Sequence, residues 1–166
     1  MKPAAPVTPA VRLLRQRGVA FRDHLYAYQE RGGTAVSARE LGVDEHAVIK
    51  TLVLEDDQRA PLLMLMHGDR EVSLKQLARD LGRRAILPCR PEVAQRHTGY
   101  LVGGTSPFAT RHPLPVYAEA TIRALPRIYI NGGKRGYLVE LDPAELWRVL
   151  SPAPVRVAVG DSSSAD

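Results

Sequence analysis

Two apolar runs, residues 48–55 and 61–67, stand either side of the polar stretch Asp56-Asp57-Gln58-Arg59. A connection that short returns the chain antiparallel to itself, because a parallel neighbour needs a crossover of about a dozen residues or more. A hairpin is therefore expected near the middle of the chain, and the other elements have to pack around it. Side-chain alternation along the first run puts Lys50 on the face shared by Val48, Leu52 and Leu54, opposite Ile49, Thr51 and Val53. A lysine there has apolar neighbours on either face. On an inward face, desolvation would disfavour its ammonium, leaving an amine able to act as a base or a cation poised for a substrate anion. At an edge its stem would pack and its ammonium would reach water.

Around this hairpin the helices are signposted by their ends. Thr8 can cap a helix with Pro9 in the first turn, Val11, Leu13 and Leu14 on its apolar face and Gly18 as its stop. A strand over 19–26 and the Arg31-Gly32-Gly33 loop follow, and Ser37 with Glu40 reads as a capping box for a short helix closed by Gly42. Ser73 caps 74–81 before Gly82, a short strand covers 84–87, and a helix from Pro91 ends at Gly99. Pro113 and Pro115 lead into a strand around Val116. Strands over 127–131 and 137–141 are joined by a turn at 132–136, and Asp142, Pro143 and Glu145 open a last helix carrying Leu146, Trp147, Val149 and Leu150.

Strands that come in hairpins, with helices interspersed irregularly, define an α+β fold. The expected architecture is a mixed, mostly antiparallel sheet forming a partly closed barrel with surrounding helices. At 166 residues and 45% hydrophobic content the chain reads as one domain, residues 1–151, followed by a flexible Pro-, Ala- and Ser-rich tail over 152–166. Its one cysteine, Cys89, excludes an intramolecular disulfide and a Cys-rich metal site. The opening residues lack the apolar run of a signal peptide and no segment approaches a membrane span, so a soluble cytoplasmic protein is expected. The net charge of +5 is uneven: residues 81–136 hold nine Lys or Arg against Glu92 and Glu119, a net +7, which leaves −2 for the remainder. That excess suits a polyanionic partner such as a phosphate backbone; a solvated basic surface accounts for it equally well.

The five histidines show no i, i+4 pair and no Cys/His clustering, so no metal site is expected and they default to surface or loop positions. His24 and Tyr26 share a face of their strand, where they could line a pocket or simply half-cover it. Cys89, between Pro88 and Arg90, has no base nearby in sequence and reads as structural. There is no Walker motif, dinucleotide fingerprint or nucleophile elbow. Two glycine clusters remain: Thr98-Gly99-Tyr100-Leu101-Val102-Gly103-Gly104-Thr105-Ser106-Pro107 and Asn131-Gly132-Gly133-Lys134-Arg135-Gly136. Gly103 and Gly104, lacking a Cβ, could turn N–H groups toward a carbonyl or phosphate, with the hydroxyls of Thr105 and Ser106 beside them. Each cluster alone is equally a turn.

Taken in order, Thr8-Pro9-Ala10-Val11 with Leu13-Leu14, His24-Leu25-Tyr26, Lys50-Thr51-Leu52-Val53, Ala94-Gln95-Arg96 and the two glycine clusters resemble the YbaK/EbsC family. These are freestanding editing proteins associated with prolyl-tRNA synthetase and typified by Cys-tRNA(Pro) deacylase. The resemblance implies the barrel-like α/β fold and removal of a mischarged amino acid from tRNA in trans, most directly Cys from Cys-tRNA(Pro), with the substrate thiol attacking its own ester. It implies Lys50 as the essential lysine, Gly103 as the pocket glycine and Tyr26 as the pocket tyrosine. A serine that some members use is Asn131 here, and an acidic residue near the last strand is Leu138. The loop after Tyr26 is short and Gly-rich, so the family's pocket-facing aromatic has no clear counterpart.

On this reading Lys50 is the catalytic residue, and Tyr26, Thr51, Gly103, Gly104 and Asn131 bind substrate. Arg96, Lys134 and Arg135 contact tRNA, no cofactor is needed, and prolyl-tRNA synthetase is a transient partner. Alternatives are a hydrolytic deacylase for Ala or Ser esters, and a non-catalytic aminoacyl-tRNA-binding module.

Overall fold

The computed structural model describes residues 4–160. Along the chain lie α1 (Pro9–Gln16), β1 (Arg22–Leu25), α2 (Gly33–Leu41), β2 (Val48–Asp56), β3 (Pro61–His67), β4 (Glu71–Val72) and α3 (Leu74–Leu81). They are followed by β5 (Ile86–Pro88), α4 (Pro91–Thr98), β6 (Val116–Glu119), β7 (Ile128–Lys134), β8 (Tyr137–Leu141), α5 (Pro143–Leu150), β9 (Ala153–Val155) and β10 (Ala158–Val159). The central hairpin forms as expected, with β2 and β3 antiparallel from Ile49 opposite His67 to Glu55 opposite Pro61.

Around that hairpin grows a mixed sheet in the order β1-β8-β7-β2-β3-β6-β9, with β5 pairing to β2 off this path. β7, β6 and β9 join in parallel and the other pairings are antiparallel. This is the expected α+β architecture with a mostly antiparallel sheet; its path ends at β1 and β9, which do not pair with each other.

Most helix ends sit where their capping residues place them. Thr8, Ser73 and Asp142 each accept a backbone N–H from the first turn of α1, α3 and α5. Ser37 is the exception. The helix starts earlier, at Gly33, so Ser37 lies inside α2 and donates to Thr34 O at 3.2 Å, and the capping box is not used. β1 is also shorter than the expected 19–26, because Val19 N–H still bonds back to Leu14 O at 2.9 Å and belongs to the end of α1. The glycines at 132 and 133 fall within β7, across a register shift between Asn131 and Lys134, and the turn proper narrows to Arg135-Gly136. Of the tail expected over 152–166, the described part supplies β9 against β6 and β10 against β4, while 161–166 lie outside the described residues. Its composition hid partners far away in sequence.

Burial on the two faces of this sheet decides where an opening can lie. One face carries α1, α5 and the main cluster, including Leu14, Ile49, Leu65, Ile130, Val139 and Leu146. The other face has two smaller clusters. Val48 packs with Ala38 of α2 and Leu138, while Leu54 packs with Met64, Met66 and Leu77 of α3. Lys50 falls between them on this second face, beside a stretch of β2 that neither helix covers.

Candidate functional site

A cavity of about 630 Å³ opens at that uncovered stretch. Its size arises from the sheet itself: β7 pairs with β2 at Val48 and Ile49, β5 pairs from Leu54 onward, and between them β2 has no strand neighbour on that edge. Val53 O accepts Cys89 N–H at 3.0 Å. Strand alternation therefore also turns the N–H and C=O of Thr51 toward the unpaired edge. Thr51 Oγ1 is buried without a hydrogen-bond partner, which among the described residues is true of no other buried side-chain nitrogen or oxygen. An orphaned hydroxyl costs about 1–3 kcal/mol, and strand alternation keeps this one on the face of Ile49 and Val53, away from Lys50.

Lys50 also lines the cavity, with 21% of its side chain exposed and its Nζ 4.0 Å from Glu71 Oε1. It lies between the two extremes expected from sequence: the stem packs on the face of Leu52, and the ammonium reaches both the cavity and an exposed carboxylate. Tyr26, Gly103, Asn131 and Arg135 line the same space. The Tyr26 hydroxyl is pushed above its ordinary pKa by burial, and so stays a neutral donor. Gly104 sits behind the wall, and neither Arg96 nor Lys134 is among the lining residues.

The two glycine clusters form one wall. Asn131 Nδ2 donates to Gly103 O at 3.1 Å, its Oδ1 accepts the N–H groups of Gly133 (2.7 Å) and Lys134 (3.1 Å), and Arg135 Nε donates to Val102 O at 2.9 Å. A Cβ on Gly104 would lie 2.7 Å from Arg135 N and 2.9 Å from the Lys134 carbonyl carbon. Gly104 is thus what lets the two main chains touch. Its N–H closes the turn on Leu101 O at 2.8 Å, so of the two amides expected to face a ligand only that of Gly103 is free of an internal acceptor among the described residues. Thr105 Oγ1 donates to Leu101 O at 3.3 Å and Ser106 Oγ accepts Phe108 N–H at 3.1 Å, so both hydroxyls brace their own loop. From behind, Thr8 donates to Gly132 O at 2.5 Å and so ties the start of α1 to the hairpin.

Tyr28 is the residue that sequence reasoning missed. It lines the cavity under the Arg135 guanidinium, 5.3 Å from ring centroid to Cζ, and its Oη lies 2.5 Å from where a Cβ on Gly103 would stand. Gly103 takes φ +90, so both the conformation and the contact require glycine. The spacing Tyr26-Ala27-Tyr28 was the available signal, since extended backbone returns Tyr28 to the side of Tyr26. His24 leaves the pocket: its Nε2 is 2.8 Å from Glu140 Oε1, and Glu140 also takes Arg127 Nε at 3.0 Å.

Cys89 does line the cavity, 3.9 Å from Glu55 Oε2. Burial, reinforced by the Glu55 carboxylate, pushes its thiol up to about 11, so it remains protonated at neutral pH and is a poor nucleophile. His67 departs from the surface default. It is 1% exposed, stacked on His46 at 3.7 Å and hydrogen-bonded to His46 O and Thr121 Oγ1.

A half-buried lysine, an unpaired strand edge and a glycine wall define a binding cleft. The fold is that of a solved structure described as a trans-editing enzyme for prolyl-tRNA synthetase, with TM-score 0.79 and 23% identity over 93% of this chain and 100% of that one. Residues 31–149 match the aminoacyl-tRNA editing domain, and the chain belongs to that family. It is 30% identical over 137 residues, 82% of this chain and 84% of its relative, to EbsC of Enterococcus faecalis, described as a Cys-tRNA(Pro)/Cys-tRNA(Cys) deacylase. It is also 34% identical over 104 residues to the proline--tRNA ligase of Moorella thermoacetica, covering 62% of this chain and 18% of that enzyme. Among the described residues no helix is long and apolar enough to cross a membrane.

Proposed function

We propose that this protein removes mischarged amino acids from tRNA in trans, with Cys-tRNA(Pro) as its preferred substrate. The observation that carries the reading is the convergence of Lys50, the unpaired main-chain edge at Thr51 and the free Gly103 N–H on one cavity, where the Cys89 thiol is held protonated and no activated nucleophile is found among the described residues. An aminoacyl ester is already activated, so a site that holds it, polarises its carbonyl and aligns an attacking group suffices. Gly103 N–H donates to the carbonyl oxygen as it gains charge, and its rigid loop avoids reorganisation. Lys50 neutralises charge at the ribose end, and Thr51 orients the aminoacyl group through its main-chain N–H and C=O on the unpaired edge. The substrate's sulfur then attacks its own carbonyl carbon, the ester C–O bond to the ribose breaks, and the thiol proton leaves on the ribose oxygen with a cyclic thiolactone as product. Arg135, Lys134 and Arg96 contact the acceptor backbone, which positions without reading sequence. Prolyl-tRNA synthetase, whose Moorella form carries a related segment, is the partner that delivers substrate in the cytoplasm.

Deacylation of Cys-, Ala-, Ser- and Pro-tRNA(Pro), with the wild type beside Lys50→Ala, tests this. Loss of the cysteinyl ester with thiolactone release, reduced at least about 100-fold in Lys50→Ala, is the expected result. Lysine-independent or absent turnover of every ester would sink it. Turnover of Ala or Ser esters would move the reading to attack by water.

A further inference from the structure

A second groove, of about 470 Å³, lies between α3 and β5, outside the cavity just described. Lys75, Arg79, Arg83 and Arg84 line it over a floor of Ala78 and Ile86. Lys75 and Arg79 are four residues apart on α3, which sets their Cβ atoms on one face about 6 Å apart. At the end of the helix Gly82, at φ +68, turns the chain back, with Gly82 N–H on Arg79 O and Arg83 N–H on Ala78 O. That turn delivers Arg83 and Arg84 to the same groove.

The acids nearby are largely engaged. Asp56, 2% exposed at its side chain, holds Arg83 at 2.9 Å; Asp57 accepts the Arg84 main-chain N–H at 3.3 Å; and Asp80 accepts Gln76 Nε2 at 2.7 Å. Lys75, Arg79 and Arg84 form no ion pair among the described residues and are all exposed. Their charge is available to a ligand. β5 connects the two sites, since Ile86 is in the groove floor and Cys89 lines the cavity, three residues or about 10 Å away along an extended strand. Leu87, 61% exposed, lies on that path, and the exposed Arg90 follows directly after Cys89.

We infer that the α3–β5 groove binds the phosphodiester backbone of the same tRNA whose 3′ end occupies the cavity. The inference rests on the editing reading for the identity of the RNA. A strand that ends in the cavity has to leave it across one rim, and on the β5 rim it meets cations over the floor of Ala78 and Ile86. Such contacts add affinity and register without base specificity. They also extend recognition to the side of the cavity away from Lys134 and Arg135.

The test compares Lys75→Ala/Arg79→Ala/Arg84→Ala with Arg12→Ala/Arg17→Ala/Arg22→Ala, which removes equal charge from exposed positions on or beside α1 and on β1. Arg83 is left in place because it neutralises buried Asp56. Binding of uncharged tRNA(Pro) is measured by fluorescence anisotropy across a salt series, with circular dichroism confirming that both variants fold. The groove variant is expected to lose at least about tenfold in affinity and about 2–3 from the log–log salt slope, with the control near wild type. In deacylation it should raise KM for Cys-tRNA(Pro) with kcat unchanged, and leave a short 3′-terminal cysteinyl oligonucleotide unaffected. Equal loss in both variants would overturn the inference, as would tRNA affinity preserved while binding to purified prolyl-tRNA synthetase falls. If the wild type deacylates nothing, the editing reading fails, and the tRNA measurement still decides the groove.

Discussion

Residues 101–104 and 131–136 carry the same kind of glycine-rich sequence, yet the first is a loop held from outside and the second is a strand and turn that does the holding. The carbonyls of Val102 and Gly103 are fixed by side chains of Arg135 and Asn131. Within the second cluster, Asn131 organises its own bulge through Gly133 and Lys134, and Thr8 secures it from α1. A ligand-facing amide gains its rigidity here from a neighbouring hairpin, and so the two clusters have to be tested as a pair.

The sharpest separation uses adjacent glycines. Gly104→Ala forces a Cβ onto the main chain of residues 134 and 135, which cannot yield as a flexible side chain does. It is expected to cost about 2–3 kcal/mol, read as a fall in melting temperature of roughly 5–10 °C. Gly103→Ala meets the tip of Tyr28 instead, at φ +90, so stability should fall by about 1–2 kcal/mol while deacylation falls far more. If the two variants lose activity and stability in the same proportion, the division into wall and brace is wrong.

A smaller effect is expected at Asn131. Removing its three hydrogen bonds in Asn131→Ala should cost about 1–2 kcal/mol by denaturant unfolding. It should also quicken hydrogen exchange at Gly133 and Lys134, whose amides lose their acceptor. Unchanged exchange there would remove the brace.

The smallest effect lies outside both clusters and serves as a control on them. Burial lowers the pKa of His67 below its ordinary value, so between the folded and unfolded values the unfolded chain binds the extra proton. Stability from this group is present above the unfolded value, about 6.5, and is lost as pH falls through it toward the folded value. Melting temperature should therefore drop between about pH 8 and about pH 5, less steeply in His67→Gln. His46, Asp69, Arg70 and Thr121 surround the ring, and Asp69 favours the charged form against that trend.

Local signals told most of the fold in advance. The Thr8, Ser73 and Asp142 caps, the left-handed stops at Gly42, Gly82 and Gly99, and the β2–β3 hairpin are each decided within a few residues. What stayed hidden depends on contacts between distant segments. β9 is a strand because Ala153 to Val155 find Tyr117 to Glu119, and β10 because it finds β4. His67 is buried because β3 runs through the centre of the sheet. Lys50, Tyr26 and Gly103, singled out by type and order, all come to line the cavity. That Gly104 and Asn131 join the two clusters, and that Tyr28 lines the cavity beneath Arg135, became legible only when the two clusters met.

The unpaired edge of β2 has a fixed length. It runs from Ile49, where β7 leaves, to Val53, where the chain after β5 arrives, a span of about 13 Å at roughly 3.3 Å per residue. Two strands that stop short thus act as the jaws of a gauge. Adding or removing one residue at either stop would reset the opening in steps of a single peptide, shifting Asn131 or Cys89 along the cavity wall as it did so.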